Sequence, residues 1–131
     1  MFAEMGTDAA TLDAMSETYA VWLPPRLEDG RYFGFLAEDA GVVVAGVGLL
    51  LMDWPPGPLH PRHDKRGFVL DVFVESAYRG HGLATELMKR AEEELLGRGV
   101  MYAALQASKM GRPVYERLGW GATNEMGKAL G

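Results

Sequence analysis

The chain has 131 residues, 48% hydrophobic and 24% charged, which is enough apolar material for the core of one compact domain spanning residues 1–131. A net charge of −5 argues against a general nucleic-acid binder, which needs a basic face, and the absence of cysteine excludes disulfides, thiolate metal sites and a cysteine nucleophile. The longest apolar run, residues 42–52, is too short to span a membrane, and the first residues lack the basic and apolar regions of a signal peptide, so a cytoplasmic protein without a membrane partner is expected.

Thr7 or Asp8 can cap a first helix, in which Leu12, Met15, Tyr19, Trp22 and Leu23 form a stripe of helical period. Pro24 and Pro25 should end or bend it. Residues 32–37 read as a strand, Asp39-Ala40-Gly41 as a hairpin turn, and residues 42–52 as a second strand. Gly46 and Gly48 within that strand suggest a bulge or a close backbone approach. Residues 53–65 form a loop with four prolines, His60 and His63, which either covers a site or is plain surface. Residues 68–74 read as a third strand. Strict alternation there puts Leu70, Val72 and Val74 on an apolar face and Asp71, Phe73 and Glu75 on a mixed one.

Residues 82–96 form an amphipathic helix with Leu83, Ala84, Leu87, Met88, Ala91 and Leu95 on one stripe, and Gly97-Arg98-Gly99 ends it. Residues 100–107 read as a fourth strand, and residues 111–118 as a short helix with Pro113 in its first turn. Residues 120–130 should hold a last short strand or hairpin. Short links make the first three strands antiparallel. The helix at 82–96 allows a crossover to a parallel strand. The expected class is therefore α+β, or mixed α/β, rather than doubly wound.

One segment carries the chemistry. Tyr78-Arg79-Gly80-His81-Gly82-Leu83-Ala84 lies where the third strand gives way to a helix. Small residues there let backbone amides approach an anion, and the helix dipole favours negative charge. Alone, the pattern serves equally well as a structural turn. A dinucleotide fingerprint fails because Thr85 stands at its third glycine position, and a Walker phosphate loop has no match.

The wider arrangement is more specific. Arg79-x-x-Gly82-x-Ala84 opens the helix, and one strand later comes Gly111-Arg112-Pro113-Val114-Tyr115-Glu116-Arg117-Leu118-Gly119-Trp120. These motifs resemble the GNAT superfamily of acetyl-CoA-dependent N-acetyltransferases, most securely over residues 68–120. The resemblance implies a GNAT-like fold, with a mostly antiparallel mixed sheet flanked by helices. It implies that Gly80, Gly82, Leu83 and Ala84 hold the pyrophosphate of acetyl-CoA through backbone amides, with Arg79 and His81 beside them. Phe73 and Val74 would present backbone groups to the pantetheine arm, and Ser108 and Arg112 could contact the coenzyme further along. Ser108 stands where many relatives have asparagine. Tyr115 matches the family's general acid, and no metal is implied.

The residue that takes the proton from an ammonium acceptor is open. Asp71, Glu75, His60 and His63 are the candidates, each with an ordinary structural reading. The acceptor itself is unassigned beyond a primary amine. Relatives usually begin with a strand and helix, and this chain starts at what resembles the end of that helix, so the first strand is expected to be lacking. A second copy of the chain could cover the resulting sheet edge. Two rivals share these features: a non-catalytic acyl-CoA-binding sensor of the same fold, and a protein-interaction domain with a structural glycine turn.

Overall fold

A computed structural model describes residues 8–131, so Thr7 as a cap and the helix remnant expected before it lie outside the described residues. Helix α1 (Ala9–Glu28) is capped by Asp8, whose carboxylate accepts the Thr11 N–H at 2.8 Å. The expected stripe is its contact face, since Leu12, Met15, Tyr19, Trp22 and Leu23 are its partly buried hydrophobics. The helix runs through Pro24 and Pro25, so of the expected end or bend the end does not occur. Proline φ suits a helix; what it removes is two amide donors. In the same turn the Arg26 guanidinium donates to the Trp22 carbonyl at 2.7 Å and stacks on the Trp22 ring at 4.3 Å.

Strands β1 (Tyr32–Asp39) and β2 (Val42–Asp53) form a hairpin joined by Ala40-Gly41, both at positive φ, the geometry of a two-residue turn that matches strand twist. Strand β3 (Lys65–Val74) pairs antiparallel with β2 and parallel with the short strand β4 (Ala103–Leu105), giving a four-stranded sheet in the order β1-β2-β3-β4 among the described residues. Helix α2 (Leu83–Gly97) makes the crossover, and helix α3 (Arg112–Arg117) follows β4. The fold is a mixed α+β sheet flanked by helices. β4 is shorter than residues 100–107, and no strand forms within residues 120–131, so the expected terminal strand or hairpin is absent among the described residues.

The core lies between the sheet and α2. Ala45, Val47, Leu49 and Val69 meet Leu87, Met88, Ala91 and Leu95, with Val72 and Val74 packed alongside. Each large apolar side chain buried this way contributes about 1.5–3 kcal/mol. This pattern corrects the strict alternation read for the third strand. The β2–β3 register shifts between Gly46 and Gly48, which pair with Phe73 and Leu70 respectively. Val47 therefore faces both Asp71 and Val72, a β-bulge on β3. Up to Val69 the odd positions face the core; beyond the bulge, Val72 and Val74 do. Leu70 goes with Phe73 on the other face, the one approached by α1.

Candidate active site

The segment from β3 to α2 has the geometry of an anion cradle. A short 3-10 turn (Ser76–Tyr78) follows β3, and the Arg79 side chain returns to donate Nε–H to the Val74 carbonyl at 3.0 Å. Gly80 and Gly82 have φ of +82° and +79°, values that side-chain-bearing residues rarely adopt. Gly82 is the N-cap of α2 and, lacking a side chain, leaves the first-turn amides uncapped. A Cβ at Gly80 or Gly82 would meet no atom within 4 Å, so the space before those amides is open. Leu83 and Ala84 begin the helix, and His81 is exposed beside it.

The slot beside the cradle follows from strand pairing. The last paired residues of β3 and β4 are Val69 and Leu105. Beyond them β3 continues through Asp71, Phe73 and Val74 without a β4 partner, so its backbone is open on that side to an extended ligand.

Asp71 stands at this divergence. It is a non-glycine residue at φ +54°, held there by the bulge. Its Oδ2 accepts two phenolic hydrogen bonds, from Tyr19 of α1 at 2.9 Å and from Tyr32 of β1 at 2.7 Å. Tyr32 reaches it across Gly48, where a Cβ would lie 1.9 Å from the Tyr32 hydroxyl. Trp22 completes the wall, tilted on Tyr19 at 5.4 Å and edge-on to Tyr32 at 6.0 Å. Burial, then neighbouring hydrogen bonds and the Asp71 charge, push the Tyr32 phenol far above its ordinary value; burial, with Asp71, also raises Tyr19.

Tyr115 is buried in α3 with its ring over Gly111, where a Cβ would come within 2.9 Å of the phenol. Burial raises its pKa above the ordinary 10.0. It lines a cavity of about 190 Å³ between β4 and the C-terminal segment, together with Leu105, Arg112 and Trp120. The Ser108 hydroxyl accepts the Gly111 N–H at 3.1 Å, so it is engaged in the turn before α3. Arg112 pairs with Glu116 at 3.3 Å on the exposed side of that helix.

The fold thus brings Asp71, Phe73, Val74, Arg79, Gly80, His81, Gly82, Leu83 and Ala84 to one end of β3. Glu75 is exposed there, and its amide donates to the Val44 carbonyl at 2.8 Å. His60 and His63 lie elsewhere. Their loop joins β2 to the start of β3, some 30 Å along the strand from Val74 at about 3.3 Å per residue, and it folds on itself through a Gly57–His60 bridge. His60 is buried against the Tyr102 ring. The loop does not cover the site. Beside it, Arg66 is buried between the Trp54 and Tyr102 rings, with Glu125 at 3.8 Å. Sequence reasoning missed Tyr19 and Tyr32 as partners of Asp71, because they lie 52 and 39 residues away and no local spacing signals the contact. Among the described residues no group of three histidine, aspartate or glutamate side chains could hold a metal ion.

Residues 4–120 match the family model of the acetyltransferase (GNAT) family. The chain belongs to the GNAT family. A solved GCN5-related N-acetyltransferase from Ralstonia eutropha JMP134 is 48% identical, superposes with a TM-score of 0.95, and is matched over 99% of this chain and 85% of its own. A predicted acetyltransferase with acetyl-CoA from Clostridium acetobutylicum is 25% identical, with a TM-score of 0.82 over 88% of this chain and 74% of its own. An aminoglycoside 6'-N-acetyltransferase from Acinetobacter haemolyticus shares the fold, at 17% identity and a TM-score of 0.68 over 94% of this chain and 93% of its own. No curated protein matches the sequence. The mixed GNAT sheet matches the fold expected from the two motifs. Among the described residues, no helix is long and apolar enough to cross a membrane.

Proposed function

We propose that this GNAT protein transfers the acetyl group of acetyl-CoA to a primary amine by direct attack, with no covalent enzyme intermediate. The observation that carries this reading is the coincidence, at one end of β3, of an uncapped helix N-terminus behind two positive-φ glycines with the divergence of β3 from β4. Amides of Gly80, Gly82, Leu83 and Ala84 hold the pyrophosphate, with Arg79 and His81 beside it. Phe73 and Val74 hydrogen-bond the pantetheine arm as an added strand would, and an amide there stabilises the developing oxyanion. Ser108 and Arg112 flank the arm near α3.

The amine nitrogen forms a bond to the thioester carbonyl carbon, the carbon–sulfur bond breaks, and the thiolate takes a proton from the Tyr115 hydroxyl; the new amide nitrogen sheds its extra proton to water, and the Tyr115 phenolate regains one from water. The ammonium form of the acceptor first loses a proton on the side of Asp71 and Glu75, directly or through water. Support for Tyr115 comes from its buried, protonated phenol and its place on the cavity beside β4. The experiment is a panel of amines incubated with acetyl-CoA, reading free thiol release and acetylated product, alongside calorimetry of coenzyme binding. Thiol release that depends on amine and matches product is expected. Coenzyme binding without product from any amine would replace this reading with a non-catalytic acyl-CoA sensor, and no coenzyme binding would leave the glycine turn a structural one.

A further inference from the structure

Among the described residues, two buried side-chain polar atoms lack a hydrogen-bond partner, His63 Nδ1 and Arg66 Nε. They lie three residues apart, where the proline-rich loop enters β3. Unpaired polar groups are costly in a protein interior, and a charged one most of all. The Arg66 side chain is 8% exposed, and its guanidinium makes no hydrogen bond to a described residue. Glu125 brings a carboxylate near it, but Oε2 lies 3.8 Å from Nη2, beyond hydrogen-bond reach, on a side chain 60% exposed. Residues 121–131 make no backbone–backbone hydrogen bond among the described residues, so no ladder holds Glu125 closer. The Trp54 and Tyr102 ring centroids are 4.3 and 5.1 Å from the guanidinium carbon. These rings attract the cation and leave its N–H rim as the approach. Tyr102 and Glu125 also line the cavity beside β4, which gives access from that side.

We propose that Arg66 is the seat of a site for a small, planar monocarboxylate, which accepts from Nε–H and Nη2–H together and takes the place of Glu125 beside the guanidinium. The two donors lie on one edge of the planar group, at the spacing of the two oxygens of a carboxylate. A guanidinium donates from all its nitrogens and accepts from none, so the group that satisfies Nε must be an acceptor, and the buried charge selects an anion. The rings choose among anions. A carboxylate can lie in the plane of the guanidinium, between them. A tetrahedral phosphate carries oxygens out of that plane and toward the ring faces. The site is separate from the acetyl-transfer slot and does not depend on that reading. Arg66 lies seven residues before Phe73, about 23 Å along the strand at about 3.3 Å per residue. An anion held there is a ligand outside the reaction.

The test reads the site directly, through the Arg66 Nε–H signal in proton–nitrogen NMR of the whole chain, assigned by its proximity to the Trp54 and Tyr102 ring protons. Sodium propionate is the probe, with sodium chloride and sodium phosphate at equal ionic strength beside it. Propionate should move the signal saturably, chloride should not, and phosphate should bind at least about tenfold more weakly than propionate. Glu125→Gln removes the competing charge and keeps the side-chain shape, so propionate affinity should rise several-fold. Arg66→Lys keeps the charge and loses the fork, so propionate binding measured by calorimetry should fall at least about tenfold. If Arg66→Lys shows no cooperative thermal unfolding, Glu125→Gln carries the decision. No saturable shift with propionate leaves the donor to water alone and overturns the proposal. An equal response to chloride or phosphate overturns it, as does unchanged propionate affinity in Glu125→Gln or in folded Arg66→Lys. A signal moved by Glu125→Gln but not by propionate would mean that Glu125 closes on the arginine in solution, and it too overturns the site.

Discussion

Burial leaves Tyr115 protonated throughout the neutral range, and no described residue takes a hydrogen bond from its hydroxyl. A donor kept protonated and unengaged can deliver its proton to a thiolate. The same isolation makes the residue a clean subject for mutation. Tyr115→Phe keeps the ring over Gly111 and in the core, so thermal stability should hold, while kcat falls about a hundredfold, the low end for loss of a general acid. Coenzyme affinity by calorimetry should be unchanged. With chemistry rate-limiting, wild-type turnover should persist to pH 10 and decline only above it, because the phenol ionises above its ordinary value. An unchanged kcat would remove Tyr115 from the acid role. At this scale the sequence marks Tyr115 through its motif and marks Asp71 only as a polar residue in a strand. The clamp on Asp71 is tertiary, made by Tyr19 and Tyr32 from other elements.

Secondary-structure elements were legible where local chemistry dictates them and blurred where tertiary contacts decide. Asp8 as a cap, the Ala40-Gly41 turn and the amphipathic stripe of α2 all follow from local rules. Continuation of α1 through Pro24-Pro25, with Arg26 stacked on Trp22 in the same turn, is not encoded by proline propensity. The bulge on β3 was half legible: Gly46 and Gly48 announced an irregularity on β2, but the extra residue sits on the partner strand. The shortness of β4 was not legible, because strand length is set by the pairing partner; the lack of a terminal strand agrees with the make-up of residues 120–130, which are rich in glycine, alanine and polar residues that disfavour strands. The start of α2 gives the sharpest element-level prediction. Gly82→Ala places a Cβ in the left-handed region at a cost of about 1–2 kcal/mol and into the open space before the first-turn amides. Coenzyme A affinity should fall about tenfold or more, about 1.4 kcal/mol or above. Gly97→Ala at the other end of α2, where φ is not positive and nothing is crowded, should leave coenzyme affinity untouched. Equal loss in both variants would mean that α2 stability, rather than the cradle, controls binding.

At the scale of the whole molecule, three phenols tie the sheet to its helices, and all three titrate above the ordinary value in the fold. Burial is the leading cause for each: Tyr115 in the core between α3 and α2, and Tyr19 and Tyr32 on the opposite face, where the Asp71 charge adds to it. Folding therefore favours the protonated phenols. Below about pH 10, folded and unfolded chains both keep these protons and this contribution is fully present. As pH rises past 10 the unfolded chain releases them first, so the unfolded state gains and stability falls until the folded phenols also ionise. One fully protected phenol changes the unfolding free energy by at most about 1.4 kcal/mol per pH unit in that window, and solvent screening at the half-buried Tyr19 and Tyr32 brings their shares below this limit. Urea unfolding from pH 8 to 11.5 should show a plateau and then a decline beginning near pH 10. Tyrosine ionisation followed by ultraviolet absorbance should lag in the folded protein relative to the urea-unfolded chain. Tyr32→Phe should make the decline shallower, and Tyr102→Phe provides the comparison at a tyrosine outside these three. A plateau extending through pH 11.5, or identical absorbance titrations for folded and unfolded chains, would mean that water reaches these hydroxyls and that the Asp71 clamp is open in solution.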